Sequence, residues 1–381
     1  MKVYLDNAAS APMDPEVFEH MKPFFFEMYG NPSSTHAHGR ALKNIIEQAR
    51  RTIATNLNAR PGEIIFTSGG TEADNMAITG AVEGMGIKHI ISSPIEHHAV
   101  THTIEHLEAQ GRVTVSWLSV DGKGHIDLAE LTELLKAHQH CLVSLMHANN
   151  EIGTLHDIQA IGELCREHGA LFHSDTVQTM GGFRFDMETL PVDLATASAH
   201  KFYGPKGVGF LYVRKGINLP PLIHGGSQER SMRAGTENLA SIAGMAFAYD
   251  KCQKMHDHKS QLLWDLKTYM QEQLREAIPG VSFNGDTSRE KSIPTVLNTS
   301  FPGEAEDSLL LFHLDIQGIS VSGGSACNSG ANLGSHVLRT IGLTGAPLVQ
   351  AVRFSFGPQN TREELDFVIG KLKEIVPASV M

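Results

Sequence analysis

Short apolar, β-branched runs recur along the chain at 63–67, 88–92, 113–120, 141–147, 170–174, 194–199 and 207–213, each about the length of one strand. Between several of them, at 72–83, 99–109, 128–136 and 158–168, apolar positions return at helical spacing. Strands alternating with helices predict an α/β fold, with a mostly parallel seven-stranded sheet covered by helices on both faces. Ligands of such sheets bind beyond the carboxyl ends of the strands, so the residues that close each run are where chemistry is expected. Ahead of the alternation, 14–29 and 37–57 carry helical periodicity around the turn Gly30-Asn-Pro-Ser-Ser34. The alternation breaks near Leu219-Pro-Pro-Leu222, and a long helical pattern from 237 to about 277 is predicted to link two domains. Beyond it, strand-like 295–298 and 318–321 and helices near 307–314 and 362–376 read as a smaller α+β unit. The predicted division is 15–258 for a large cofactor-binding domain, and 1–14 with 259–381 for a small domain.

Composition narrows the function classes. With 381 residues and 41% hydrophobic content the chain can bury a large core and a second, smaller one. Its 31 basic and 42 acidic residues give a net charge of −11 with no long basic run, which disfavours direct nucleic-acid or anionic-membrane binding and favours small-molecule or protein partners. No run is long and apolar enough for a signal peptide or a membrane span, so the expected location is the cytoplasm. The four cysteines form no Cys-x-x-Cys pair, and neither a disulfide framework nor a zinc knuckle is expected. Cys141, Cys165 and Cys252 lie in apolar or helical contexts that suit buried thiols, whereas Cys327 lies in Ser322-Gly-Gly-Ser-Ala-Cys-Asn-Ser-Gly330, where little side-chain bulk can bury it.

The ends of the strand runs carry the candidate chemistry. Lys201 follows 194–199 and precedes a glycine-rich turn; its amine could form a Schiff base with a carbonyl cofactor such as pyridoxal phosphate, or simply end a strand. Ser198 and His200 could bind a phosphate beside it. In Phe66-Thr-Ser-Gly-Gly-Thr-Glu-Ala-Asp-Asn75 a strand leaves through Gly69 and Gly70 into a helix, whose first amides and the Thr71 hydroxyl suit a phosphate; the alternative is a Thr N-cap with Asp74 completing a weak capping arrangement. Asp175 closes another run and could keep a pyridinium nitrogen protonated with Gln178 near the ring hydroxyl, or act as a strand-end cap. His97 could stack on an aromatic ring and shuttle protons. Metal binding by His97 and His98 is not expected, because neighbours point apart and no further ligand spacing completes a set. The polar loop 146–153 suits ligand contacts or an ordinary turn. Thr236, in the glycine- and arginine-containing stretch 225–238, opens a second anion-binding helix start or merely its cap, and Arg353 could clamp a carboxylate bidentately if it faces inward.

Together these segments resemble the class V family of pyridoxal-phosphate enzymes and, within it, the cysteine desulfurases. The resemblance runs nearly end to end through Leu5-Asp-Asn-Ala-Ala9, Asn31-Pro-Ser-Ser34 with Gly39-Arg40, Ser68-Gly-Gly-Thr-Glu72, Glu96-His97, Asn149-Asn-Glu-Ile-Gly153, His173-Ser-Asp175 with Gln178, Ser198-Ala-His-Lys201, Gly204-Pro-Lys-Gly207, Arg233-Ala-Gly-Thr236, Ser325-Ala-Cys327 and Arg353-Phe-Ser355. It implies pyridoxal-phosphate fold type I, with Lys201 as the covalent anchor of the cofactor and Lys206 structural. Asp175 would sit on the ring nitrogen, Gln178 on the ring oxygen and His97 on the ring face. Gly70, Thr71, Ser198 and His200 would hold the phosphate, Asn150 and Arg353 would orient the substrate carboxylate, and Thr236 would enter from the second subunit of a homodimer. The implied reaction converts L-cysteine to L-alanine through a persulfide on Cys327, with the sulfur passing to an acceptor protein in iron–sulfur assembly, tRNA thiolation or DNA phosphorothioation. A selenocysteine lyase or a class V aminotransferase would share Lys201, Asp175 and His97, but an aminotransferase has no need of Cys327; a non-catalytic scaffold would have no need of the whole set. The stretch 328–338 resembles the longer loop of the housekeeping subgroup. His98, however, stands where a lysine is usual, and Met381 comes soon after the last helical pattern, which argues against the housekeeping role and leaves a dedicated acceptor open.

Overall fold

The structure is a computed structural model that describes residues 1–303, 309–323, 335–345, 348 and 350–376. Its strands are β1 (Val3–Tyr4), β2 (Ile64–Thr67), β3 (His89–Ser92), β4 (Thr114–Trp117), β5 (Leu142–Ser144), β6 (Leu171–Asp175), β7 (Leu194–Ser198), β8 (Gly209–Val213), β9 (Ser282–Asn284), β10 (Val296–Ser300), β11 (Ile319–Ser320) and β12 (Ala351–Ser355). β2 to β8 form one seven-stranded sheet in the order β2-β8-β7-β6-β5-β3-β4. Within it only β8 runs against its neighbours, pairing antiparallel with both β2 and β7. The other six strands therefore deliver their carboxyl ends to one edge.

Burial explains why these runs lacked a polar side. In β2, Ile64 and Phe66 enter one core while Ile65 enters the core on the opposite face, and in β8 Phe210 and Tyr212 alternate with Leu211 and Val213 in the same way. Both faces are covered, so a two-residue alternation of direction carries no alternation of polarity. The long helix α3 (Ala37–Asn56) packs on α8 (Leu239–Lys254) beneath one face; α4 (Gly70–Met85) and α5 (His98–Ala109) cover the other. A further core gathers β10 and β12 with α9 (His256–Ala277), α10 (Leu310–Ile316) and α12 (Arg362–Ile375). There β9, β10 and β12 form an antiparallel sheet with Asn298 opposite Arg353, and β1 pairs parallel with β11.

Three expectations change. The helix read over 237–277 is two helices that break at Met255, although helical periodicity continues through the break. The helix read over 14–29 becomes α1 (Pro15–Met21) and a single turn, α2 (Pro23–Phe26), because Pro23 has no N–H to continue α1. The stretch 225–238 is built around an ion pair: Glu229 is buried and takes two hydrogen bonds from the Arg50 guanidinium, at 2.7 and 2.8 Å, and one from the Phe66 amide at 2.9 Å. To turn that carboxylate inward, Glu229, Arg230 and Ser231 all adopt left-handed backbone, with φ of 44°, 57° and 66°.

Candidate active site

The carboxyl ends of β2, β6 and β7 open onto a cavity of about 220 Å³. Among its lining residues are Gly70, Thr71, His97, Asn150, Asp175, Gln178, Ser198, His200, Lys201 and Arg353, which the sequence placed in separate segments.

Gly69 is the N-cap of α4, with φ of 153° and no side chain to cap the helix, so neither Thr71 nor Asp74 plays the capping role that the sequence left open. The first amides of α4 are left for a ligand. Two glycines permit this. A Cβ on Gly209 of β8 would stand 2.3 Å from the Ala197 carbonyl and 2.9 Å from Gly69, and one on Gly70 would stand 2.9 Å from Val177. With no side chain at either position, the helix start approaches the end of β7, where Ser198 lies; His200 adds its ring and contacts Ser10 Oγ at 3.3 Å through Nδ1. Burial, then Lys201 and Lys206, push the His200 pKa down to about 4, leaving a neutral ring that can donate to an anion.

Lys201 ends the single turn after β7, and its Nζ donates to the carbonyls of Ala8 and Ala9, the latter at 2.9 Å. The N-terminal segment is thus a strap over the site: Gln178 donates to Ala8 O at 3.1 Å, and the amides of Ala11 and Asp14 bond to His200 O and Tyr203 O. Asp175, 7% exposed, ends β6 and accepts from the Val177 amide at 2.9 Å. Burial and the nearby carboxylate of Asp74 raise its pKa to about 7. His97 caps α5 by accepting from the Ala99 amide at Nδ1, 3.1 Å, so its neutral ring carries the proton on Nε2. Burial and Lys201 lower its pKa to about 4.

On the opposite wall Arg353 is 1% exposed; it donates to Asn150 O and to Asp6 Oδ1, each at 2.9 Å, while its Nε is buried with no hydrogen-bond partner among the described residues. Asn149, by contrast, folds its side chain onto the amides of Glu151 and Ile152, the ordinary turn allowed for this loop, and leaves Asn150 to face the cavity.

Thr236 lies elsewhere. It is exposed on a separate recess of about 210 Å³ with Ser68, Gly207 and Glu229. Lys206 is exposed. Cys141, Cys165 and Cys252 are buried free thiols. Cys327 lies outside the described residues; Ser322 and Ser335 are described on either side of it. The sequence missed two acids. Asp6 holds Arg353, and Asp74, read as a capping residue, is buried in the cavity wall beside Asp175. A carboxylate among Ala73, Met76 and Ala77 was the signal for Asp74, since a charge in an apolar helical stripe needs a reason.

The residues fit pyridoxal phosphate. An uncapped helix start suits its phosphate, a buried carboxylate with no cation bonded to it suits the ring nitrogen, and the amine and the guanidinium suit its aldehyde and an amino-acid carboxylate. No helix among the described residues is long and apolar enough to cross a membrane.

The family model for class-V aminotransferases matches residues 3–368. Over 98% of its length the chain is 44% identical to the protein named cysteine desulfurase IscS of Dictyoglomus turgidum, of which the match covers 94%. Among solved structures, a NifS-like protein superposes with a TM-score of 0.89 at 36% identity, covering 98% of this chain and 99% of that one. A structure described as SspA in complex with cysteine superposes with a TM-score of 0.82 at 34% identity, covering 95% of this chain and all of that one.

Proposed function

The chain belongs to the class-V aminotransferase family and is a pyridoxal-phosphate-dependent cysteine desulfurase, and we propose that it moves the sulfur of L-cysteine onto Cys327 and from there to an acceptor protein. The observation that carries the assignment of residues is the convergence of Lys201, Asp175, His97 and Arg353 on one cavity at the start of α4. When bound, pyridoxal phosphate supplies an electron sink for a carbon that loses its proton. The protein supplies the rest. The α4 amides, Thr71, Ser198 and His200 would hold the phosphate, Gln178 the ring oxygen and Asp175 the ring nitrogen. His97 forms a wall over the ring face, held by its bond to Ala99. Arg353 takes the substrate carboxylate through its guanidinium, with Asn150 alongside. Lys201, beneath the substrate, accepts the Cα proton at Nζ. The thiolate of Cys327 then attacks the substrate sulfur: an S–S bond forms, the C–S bond breaks, the proton given up by the Cys327 thiol ends on Cβ and the proton held at Lys201 Nζ returns to Cα. Thiol plus L-cysteine become persulfide plus L-alanine, with no external oxidant or reductant.

A homodimer completes this reading, with Thr236 of one chain reaching the phosphate in the other. Its exposed position outside the Lys201 cavity supports that arrangement, as do the exposed Phe18, Phe25, Phe26 and Tyr29 around α1 and α2. The acceptor belongs to iron–sulfur assembly or to a dedicated thiolation or phosphorothioation route. Purified protein is expected to be yellow and to release alanine and sulfide from L-cysteine with a thiol reductant. Cys327→Ser keeps the colour and loses the sulfide; undiminished sulfide release by the variant removes Cys327 from the mechanism.

A further inference from the structure

Behind Asp175 the cavity wall contains a second acid that the mechanism above does not use. Asp74, on the first turns of α4, is 1% exposed, and its Oδ1 is buried with no hydrogen-bond donor among the described residues. Single ligand atoms of Asp74, His97 and Asp175 all lie within 4.8 Å of one another. On its inner side Asp74 receives the Thr196 hydroxyl, and a buried polar chain continues from there: Thr196 Oγ1 to His173 Nε2 at 3.2 Å, and His173 Nδ1 to Ser144 Oγ at 2.8 Å. His173 Nε2 lies 3.4 Å from Asp74 Oδ1, and burial holds the ring neutral, with a pKa near 4.

Two carboxyl groups this close in a dry wall cannot both be ionised without a cation between them. The surrounding groups do not supply one to Asp74. The loop before α5 brings Glu96, itself buried and pushed well above the ordinary carboxylate range, and His97; β6 brings His173; of the cavity's cations, Lys201 donates to Ala8 O and Ala9 O and acts on Asp175, and Arg353 is paired with Asp6. We propose that Asp74 is a positioning residue that acts through Asp175: the two share a single buried negative charge, Asp74 retaining the proton so that the charge stands on Asp175 when the cationic ring nitrogen of pyridoxal phosphate is in place. The inference rests on the cofactor assignment above. Burial raises the pKa of both acids to about 7, and Asp74 is the second cause of the shift at Asp175. A protonated Asp74 carries no charge, so a neutral isostere in its place leaves the first ionisation of the pair, that of Asp175, where it is.

The test is the affinity of cofactor-free full-length protein for pyridoxal phosphate as a function of pH, compared between wild type and Asp74→Asn. Asparagine keeps an acceptor for Thr196 and a similar shape. Wild-type affinity is expected to fall as pH drops below about 7, roughly tenfold per unit at most, as the one charge that the ring nitrogen needs is titrated away. Asp74→Asn, which mimics the protonated acid, is expected to follow the wild-type profile within about twofold across the range. The phosphate and Lys201 titrate alike in both proteins and drop out of the difference. A fall displaced to lower pH in the variant shows that Asp74 is charged in the wild type and overturns the proposal while leaving the cofactor reading standing; failure of wild type to bind pyridoxal phosphate at any pH overturns both. If Asp74→Asn does not fold, carboxyl-labelled aspartate NMR of the wild-type cofactor-free chain decides: two coupled titrations, one well above the ordinary aspartate range, are expected, and two independent titrations near about 4 contradict the proposal.

Discussion

Arg353 shows what a single side chain does in this site. It lies on β12, opposite Asn298 and wholly buried, and its charge is balanced on one side only, by Asp6, which also accepts from Ser322 Oγ at 2.8 Å. In the proposed role its guanidinium would meet a substrate carboxylate, and charge-assisted bonds of this kind contribute roughly 1.5–3 kcal/mol. Arg353→Ala is expected to raise KM for L-cysteine roughly 10- to 100-fold with the cofactor absorbance unchanged, and Arg353→Lys to recover little of it, because an ammonium lacks the planar fork. Lys267 poses the opposite case. Fully buried in α9, its amine donates to Ser292 Oγ at 2.9 Å and Ile293 O at 2.7 Å, and burial lowers its pKa to about 7. Between about 7 and the ordinary value near 10.4 the unfolded chain binds a proton that the fold releases, so this group adds stability as pH rises through that window. The Tm of wild type minus that of Lys267→Met should therefore climb from about pH 7 to pH 10; a flat difference contradicts it. At this scale the sequence was most informative where a charged or nucleophilic residue closes an apolar run, as Asp175 and Lys201 do. It said little about Lys267 or Asp74, which occupy helix interiors where a polar residue reads as the outward face.

The elements owe their placement to close approaches and to one ion pair. Glu229 and Arg50 are 179 residues apart, both nearly fully buried, and together they tie the strained turn at 228–231 to α3 and the start of β2. Without Glu229 the buried Arg50 keeps only the half-buried Glu47, 3.1 Å from its Nε, and losing the buried partner costs up to roughly 3–5 kcal/mol. Glu229→Ala should accordingly lower Tm sharply, while the double variant Arg50→Met/Glu229→Leu recovers part of the loss. Gly70→Ala is a milder and more local change. Its Cβ presses on Val177, so the start of α4 backs away from Ser198 and affinity for pyridoxal phosphate falls, with Tm of the cofactor-free chain little altered. Periodicity located all seven strands of the large sheet, though it ran three residues past the ends of β4 and β5, and it missed the short β1 and β9. Direction was not legible: β8 runs antiparallel, and nothing in its composition distinguishes it from its parallel neighbours. The break at Met255 was hidden for a similar reason, since the amphipathic pattern resumes at once in α9.

Across the whole molecule, the N-terminal segment joins regions that the sequence assigned to different domains. Asn7 donates to Ser355 O of the small sheet, while Ala11 and Asp14 bond to His200 O and Tyr203 O beside Lys201. Arg353 and Lys201, the proposed substrate and cofactor contacts, are thereby held by one strap, and the cavity is built from both cores. Such long-range closure was invisible to local pattern, although the Leu5-Asp-Asn-Ala-Ala9 motif marked the segment. The proposed homodimer predicts that the 41.5 kDa chain sediments at twice that mass at micromolar concentration, and that charged substitution at Phe25 and Phe26 lowers both the mass and the retention of cofactor. The central claim concerns where the sulfur goes. Reductant-free protein loaded with pyridoxal phosphate, mixed with one equivalent of L-cysteine, quenched and digested, is expected to yield one alanine per chain and a Cys327 peptide heavier by one sulfur atom. Alanine formed in that amount with the Cys327 peptide unchanged would contradict the account.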